Sequence, residues 1–550
     1  MRFTKLALLA ALFGSPAAAS AEVKLHPLFA DHMVIQRDPK AKVFGTGTPG
    51  ELVRVGLFGP PKGGVTQAPS QGIGNVAADG TWAVELTAPD GGLGYSLIVE
   101  GTNKITLKDV AVGDVWICSG QSNMEWKVKQ LTKDGQAQKV ADAAKTDMVR
   151  LFAVPNKPSP TPQKSFATTK TEGLWLECTP ENVLDFSAVG YVFGRDIAAS
   201  QKVPVGLIAS DWGGTPAEAW TSREGLSAQP TLKPLVEAVD KVIAANSDPK
   251  LVEAKYQADV AKWKELADQA KADGKAAPRA PAKPAEGGVN QNSPTALYNG
   301  MIAPLLNFNV KGAIWYQGES NSSRAKEYRT LMPALITDWR AKWGTELPFY
   351  LVQLAPYGNG KGNSNGVQYA ELRDAQYATT KALKNVGMAV ITDVGDESDI
   401  HPQQKVPVGE RLALAARAGT YGEKVECCGP EFKALTIDGD KVTVTFTHAT
   451  GLRAAGGKVS ASLTATDGVK VTNEPVQVAG FTLCGEDKVF HPATATIKGE
   501  TVILSCDKVA KPVAVRFGWV NFATPPLNLV NKAGLPAVPF RTDDFPLTTK

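Results

Sequence analysis

Ser122 lies in the stretch VWICSGQSNME, Val115 to Glu125, where an apolar run ends in a glycine-containing turn. A hydroxyl on a turn that leaves a buried strand can face a cleft, and Gly120 permits the tight backbone it needs. Serines in such turns also serve as helix caps, so the residue has chemical meaning only if a base stands near it. The chain has 5 histidines: His26, His32, His401, His448 and His491. Two fall in the first β-like region and two in the last. Only His401, in ITDVGDESDIHP from Ile391 to Pro402, follows an apolar run in the middle of the chain, where it can meet Ser122 as general base. Two further run ends supply donors. In SDWGGTPAEAW, from Ser210 to Trp220, Gly213 and Gly214 leave backbone N–H groups open to a bound oxyanion. In QGESN, from Gln317 to Asn321, the Gln317 amide can point at the same oxyanion, and Glu319 orders its neighbours. Nucleophile, base and oxyanion donors are the parts of an acyl-transfer centre.

The elements that must position these residues are continuous apolar runs: Val115 to Cys118, Pro204 to Ala209, Gly312 to Tyr316, Phe349 to Leu354 and Gly387 to Thr392. Such runs, separated by helical stretches, are what a parallel sheet covered on both faces requires. Function in open α/β sheets collects at the carboxyl ends of strands, where all the residues above fall. The catalytic α/β region is expected over 111–425. It is flanked by β-domains at 22–110, with runs such as Leu52 to Phe58 and Gly80 to Leu86, and at 426–550, with Lys441 to Thr447, Thr501 to Ser505 and Pro512 to Phe517. An Ala/Lys/Glu-rich insert with a Pro/Ala/Lys-rich stretch, 233–289, reads as an inserted helical hairpin or lid with a semi-rigid linker, or more simply as a solvated appendage without catalytic residues.

A length of 550 residues exceeds what one core supports. A net charge of +4 without a basic, aromatic-laced stripe gives no footprint for nucleic acid. Residues 1–21 carry Arg2 and Lys5, an apolar run and the small-residue stretch ending Ala19-Ser20-Ala21. This is the pattern of a cleaved secretory signal, so the mature protein is expected in the periplasm or outside the cell. No run is long enough to span a membrane. The 6 cysteines lack CxxC spacing, and no zinc site is expected. Cys484 and Cys506 flank strand-like runs and are the pair expected to bridge. Adjacent Cys427 and Cys428 could bond only with strain.

The blocks GQSNMEW (Gly120 to Trp126), WGGTPAEAW (Trp212 to Trp220), ALYNGMIAPL (Ala296 to Leu305), WYQGESN (Trp315 to Asn321) and DIHP (Asp399 to Pro402) resemble those of the SGNH-hydrolase superfamily, specifically the sialate O-acetylesterase family. The likeness extends to LFADHMVIQRD (Leu28 to Asp38) and GLPAVPFRTD (Gly534 to Asp543). It implies a flavodoxin-like three-layer α/β/α domain with a parallel sheet and a serine esterase that removes acetyl groups from carbohydrate without metal or cofactor. It further implies an oxyanion hole made of the Ser122 N–H, a backbone N–H of Gly213-Gly214, and Gln317. Many SGNH enzymes orient their histidine with an aspartate three residues earlier, but position 398 is serine. Asp399 is the candidate for that role, with Asp396 or a backbone carbonyl as alternatives.

The rival class is a non-catalytic exported carbohydrate-binding protein, which leaves the Ser, Gly, Gln and His unexplained. A lipase or peptidase would be expected to carry a GxSxG elbow, which the Ser122 turn lacks. Asn123, Trp212, Glu319 and Arg373 are the candidates for substrate contact, Arg373 as a partner for a sialic acid carboxylate. Trp126, Trp220 and Tyr298 are further aromatics able to stack on a sugar. Sialic acid and acetylated plant polysaccharide such as xylan both remain open as substrates.

Overall fold

The computed structural model describes residues 22–61, 69–281, 283, 285–456 and 477–550. Its organising element is one strand of 17 residues, Lys104–Gly120. The first part, KITLKD, alternates polar and apolar side chains and buries one face. From Val110 onward every residue is buried, as a strand covered on both sides must be. The run expected at Val115 to Cys118 is therefore the second half of a longer strand that begins at Lys104. Its first half pairs antiparallel with Gly92–Glu100, and a short parallel partner, Val34–Gln36, joins it at Ala111 to Gly113. Its second half lies between Val205–Asp211 and Gly312–Tyr316, parallel to both, so that Cys118 is flanked by Ala209 and Ile314.

The catalytic sheet runs in the order Trp175–Cys178, Thr146–Ala153, Val205–Asp211, Lys104–Gly120, Gly312–Tyr316, Phe349–Val352, Val386–Ala389. All neighbours are parallel except the edge strand Trp175–Cys178, which runs antiparallel to Thr146–Ala153. Trp116 and Cys118 share a core with helices Ala188–Gln201 and Val406–Gly419. Val115 and Ile117 share the opposite one with helices Ala325–Trp343 and Gln368–Ala382. This is the three-layer α/β/α arrangement. The second of these cores continues without a break into the N-terminal strands, through Val34, Val55, Val84 and Leu97.

The buried carboxylate inside the long strand is compensated by hydrogen bonds. Asp114 is fully buried and binds Arg37 through both carboxylate oxygens at 2.8 Å, with the Tyr421 hydroxyl donating to it at 2.8 Å. A buried carboxylate is tolerated only when so compensated.

In the insert, helix Lys233–Ala245 buries Val236 and Val239, whereas the 24-residue helix Pro249–Ala272 buries nothing. The C-terminal region forms two four-stranded sheets around one core. Phe481–Cys484 belongs to one, pairing with Ala514–Phe517, and Thr501–Ser505 to the other, pairing with Lys441–Thr447. This placement corrects the expected bridge: Cys484 lies on one sheet, Cys506 just beyond a strand of the other, and both are free thiols. Residues 1–21, where the secretory signal was read, lie outside the described residues, as does part of the Pro-rich stretch of the insert. Among the described residues no helix is long and apolar enough to cross a membrane.

Gly113 marks the crossover between the two halves of the long strand. A β-carbon there would lie 1.9 Å from the Pro204 carbonyl oxygen, and backbone cannot yield as a flexible side chain can. Gly113→Ala is expected to cost at least about 2 kcal/mol, read as a lowered urea midpoint at unchanged m-value.

Candidate active site

Gly120 ends the long strand with φ +140°, and a β-carbon there would meet the Tyr316 carbonyl oxygen at 2.1 Å. Only glycine fits, and the chain turns at once into the short helix Ser122–Glu125. The Ser122 Oγ lies 2.9 Å from His401 Nε2. The imidazole stacks on Trp126, with ring centroids 4.9 Å apart. Asp399 Oδ1 accepts the His401 backbone N–H at 2.8 Å and stands 3.7 Å from Nδ1, beyond hydrogen-bond distance in this arrangement. Asp396 is engaged elsewhere, accepting from the N–H groups of Ser398 at 3.0 Å and Asp399 at 3.1 Å. Of the two aspartates, Asp399 is thus the one beside the ring. Burial and the nearby Lys405 hold the imidazole below its ordinary pKa of 6.5, with Asp399 opposing, which keeps the base unprotonated near neutrality.

Lys405 was not foreseen. It is fully buried, lies over the rings of Trp126 and Tyr316, and donates to Asn123 Oδ1. The Asn123 amide donates in turn to Glu319 Oε1 at 2.6 Å and to the Ile400 carbonyl at 3.1 Å. The residue after the nucleophile is thereby tied to the residue before the base. Burial pushes the Lys405 ammonium down to about 7, against the opposing field of Glu319 and Asp399, and pushes the Glu319 carboxyl up. Asn123 and Glu319, expected at the substrate, hold the catalytic pair together instead. The sequence did contain a signal for Lys405. It sits at the start of helix Val406–Gly419, the positive end of the helix dipole, where a lysine is electrostatically misplaced unless something else holds it.

The donors for an oxyanion differ from expectation in two respects. Gln317 is fully buried, and its amide gives its N–H groups to Thr215 O at 3.2 Å and Asn321 Oδ1 at 2.7 Å, while its oxygen accepts from the Tyr328 hydroxyl at 3.0 Å. With its donors spent inside the protein, it cannot be an oxyanion donor in this arrangement. Asn321 also accepts the Ala217 N–H at 2.9 Å, so the QGESN block anchors the loop that carries Gly213 and Gly214. A β-carbon on Gly213 would lie 3.2 Å from that of Ser122, which places this turn beside the nucleophile. The Gly213 N–H donates to Glu125 Oε2 at 2.7 Å, an acceptor that sequence reading did not anticipate. Gly214 follows in the left-handed region, φ +73°. The Ser122 N–H belongs to the first turn of its helix, where backbone donors have no intrahelical acceptor.

Arg373 is corrected as a substrate contact. It is buried, and its guanidinium donates to the carbonyls of Leu354 at 2.8 Å, Val520 at 2.9 Å and Asn521 at 2.9 Å. Trp220 and Tyr298 are core residues, whereas Trp126 and Trp212 are half-buried near the serine. Among the described residues one group, His32, Asp109 and Glu177, has metal-ligand spacing. The Arg150 guanidinium already binds Asp109 at 3.2 Å, a cation where a metal would need to sit.

A hydroxyl set against an imidazole at the carboxyl ends of a doubly covered α/β sheet belongs to a hydrolase domain of the SGNH type. The solved structure of a carbohydrate acetylesterase from Xanthomonas citri is similar to this chain with a TM-score of 0.74 and 35% identity, over 95% of this chain and 100% of that one. The sialate O-acetylesterase of Mus musculus is 30% identical over 424 residues, 72% of this chain and 73% of the relative, and that of Homo sapiens is 29% identical over 545 residues, 92% and 90%. Residues 282–418 match the family described as carbohydrate esterase, sialic acid-specific acetylesterase. The chain belongs to the sialate O-acetylesterase family. It is a carbohydrate O-acetylesterase.

Two substitutions should move the acid limb of kcat/KM in opposite directions, because His401 must be neutral to act. Lys405→Met removes a charge that lowers the imidazole pKa, so the limb shifts to higher pH. Asp399→Asn removes one that raises it, so the limb shifts to lower pH. Shifts of about half a unit or more are expected. A pH–rate profile on an aryl acetate measures them, and thermal melting separates any loss of folding.

Proposed function

We propose that this chain hydrolyses O-acetyl esters on carbohydrate through an acetyl-serine intermediate. The observation that carries this reading is the 2.9 Å contact between Ser122 Oγ and His401 Nε2. Ser122 attacks the acetyl carbonyl while His401 takes its proton, then returns that proton to the departing sugar oxygen. Water, deprotonated by the same imidazole, releases acetate and regenerates the serine.

The developing oxyanion would be met by the Ser122 N–H and by the Gly213-Gly214 turn. Since the Gly213 N–H donates to Glu125 Oε2, an acyl oxygen must compete with that carboxylate to use it. Asp399 orients the imidazole loop through the His401 backbone N–H and supports the imidazolium by its charge rather than by a hydrogen bond at Nδ1. Export is part of the reading and rests on the pattern of residues 1–21.

Acetate release by the purified mature protein and its Ser122→Ala variant tests the reaction. The variant should fall by about 10⁴-fold or more, and a peptide carrying Ser122 should gain the mass of one acetyl group when an aryl acetate reaction is quenched early. Equal release by the variant would defeat the proposal. Asp399→Asn is expected to keep far more activity than His401→Ala; equal losses would assign Asp399 a direct bond in the working state.

A further inference from the structure

Glu125 belongs to the same block as Ser122, GQSNMEW, and is so far only a competitor for the Gly213 N–H. It lies three residues beyond the serine on a single helical turn, a spacing that puts both side chains on one face. Resting on the esterase reading above, we propose that Glu125 is a positioning residue: its carboxylate ties the glycine turn to the nucleophile helix through Gly213, and leaves the Gly214 N–H for the acyl oxygen.

The pairing between the two strands runs out just short of this point. Strand Val205–Asp211 stays in register with the long strand until Asp211 faces Gly120, and the Trp212 N–H adds a last bond to the Gly120 carbonyl at 3.1 Å. Beyond it, among the described residues, one hydrogen bond joins the Ser122 helix to the turn: Gly213 N–H to Glu125 Oε2, at 2.7 Å. A β-carbon on Gly213 would lie 3.0 Å from that oxygen and 3.2 Å from the Ser122 β-carbon. The contact is as close as a glycine permits. Gly214 follows, exposed, and its N–H makes no hydrogen bond among the described residues.

No counter-ion accounts for a carboxylate in this half-buried place. The lysines nearest in sequence, Lys127 and Lys129, stand 3.7 Å and 2.5 Å from Asp185 instead. The carboxyl beside it, Asp211, has a buried Oδ2 without a hydrogen-bond partner, and burial together with the Glu125 charge holds it well above the usual carboxylate range. Asp211 is thus a neutral acid near neutrality and adds no second negative charge. A charge-assisted bond from an N–H to a carboxylate is roughly twice as strong as one to a neutral carbonyl. Glu125 therefore keeps Gly213 when an ester arrives.

The test compares Glu125→Ala, Glu125→Gln and Glu125→Asp with the parent on an aryl acetate, with kcat and KM separated and folding followed by thermal melting. Loss of the tie should lower kcat by about 10²-fold, the effect of a slightly misplaced catalytic geometry, while KM stays within about twofold. Glutamine still offers an oxygen to the Gly213 N–H, so Glu125→Gln should keep most of the rate. Aspartate keeps the charge but lacks the reach, and should fall with the alanine variant. Formate, entering through the cavity of about 320 Å³ that Glu125 lines, should restore part of the rate to Glu125→Ala and none to Glu125→Gln. A kcat that holds or rises in Glu125→Ala overturns the assignment, as does a loss carried by KM alone. If Glu125→Ala does not fold, the other two decide, and aspartate outperforming glutamine overturns it. Absence of Ser122-dependent release by the parent would instead remove the esterase reading, and the proposal with it.

Discussion

A strand buried on both faces has no freedom of register, because a slip of one residue would turn every side chain to the wrong core. Lys104–Gly120 is held in this way by Val205–Asp211 on one side and Gly312–Tyr316 on the other. Each of these three strands delivers one part of the centre at its carboxyl end: the Ser122 turn, the Gly213-Gly214 turn and the QGESN block. Their relative positions are therefore fixed by ladder hydrogen bonds and by packing rather than by the loops themselves. Gly120, pressed against the Tyr316 backbone, is where that constraint passes into the catalytic turn.

The histidine arrives from farther away, on a loop after the strand Val386–Ala389 at the sheet edge, and no ladder fixes it to the serine. Its registration comes from the buried Lys405–Asn123–Glu319 group, whose asparagine binds the Ile400 carbonyl. The same lysine that aligns the loop also biases the imidazole toward its neutral form. Geometry and proton affinity are thus set by one side chain, a coupling that a merely hydrophobic anchor would not provide.

Much of this was legible in the sequence. The apolar runs gave the sheet strands, with the ends of Gly312–Tyr316 and Leu52–Phe58 placed correctly, and the scarcity of histidine singled out His401. The strand Thr146–Ala153 went unread because Arg150 interrupts its apolar run; that arginine is buried and bonded to Asp147 O and Asp109. Gln317 was placed on the cleft because an amide at a strand end can point either way, and only the positions of Thr215, Asn321 and Tyr328 show that it turns inward. Lys405 was missed because lysine is rarely buried, and its hydrogen-bonded partners Asn123 and Glu319 come from distant parts of the sequence. The cysteines failed for a similar reason: proximity in sequence to strands says nothing about which sheet each strand joins.

The junction between the catalytic helix Gln368–Ala382 and the C-terminal region has a consequence for how the molecule is made. Arg373 is completed by Val520 and Asn521, and Glu371, also buried, by the N–H groups of Thr548 and Thr549. Until those late-synthesised residues are present, the guanidinium keeps only the Leu354 carbonyl and the carboxylate lacks these donors, so their burial is opposed. A ribosome-bound or prematurely terminated chain therefore has a built-in reason not to close around Ser122.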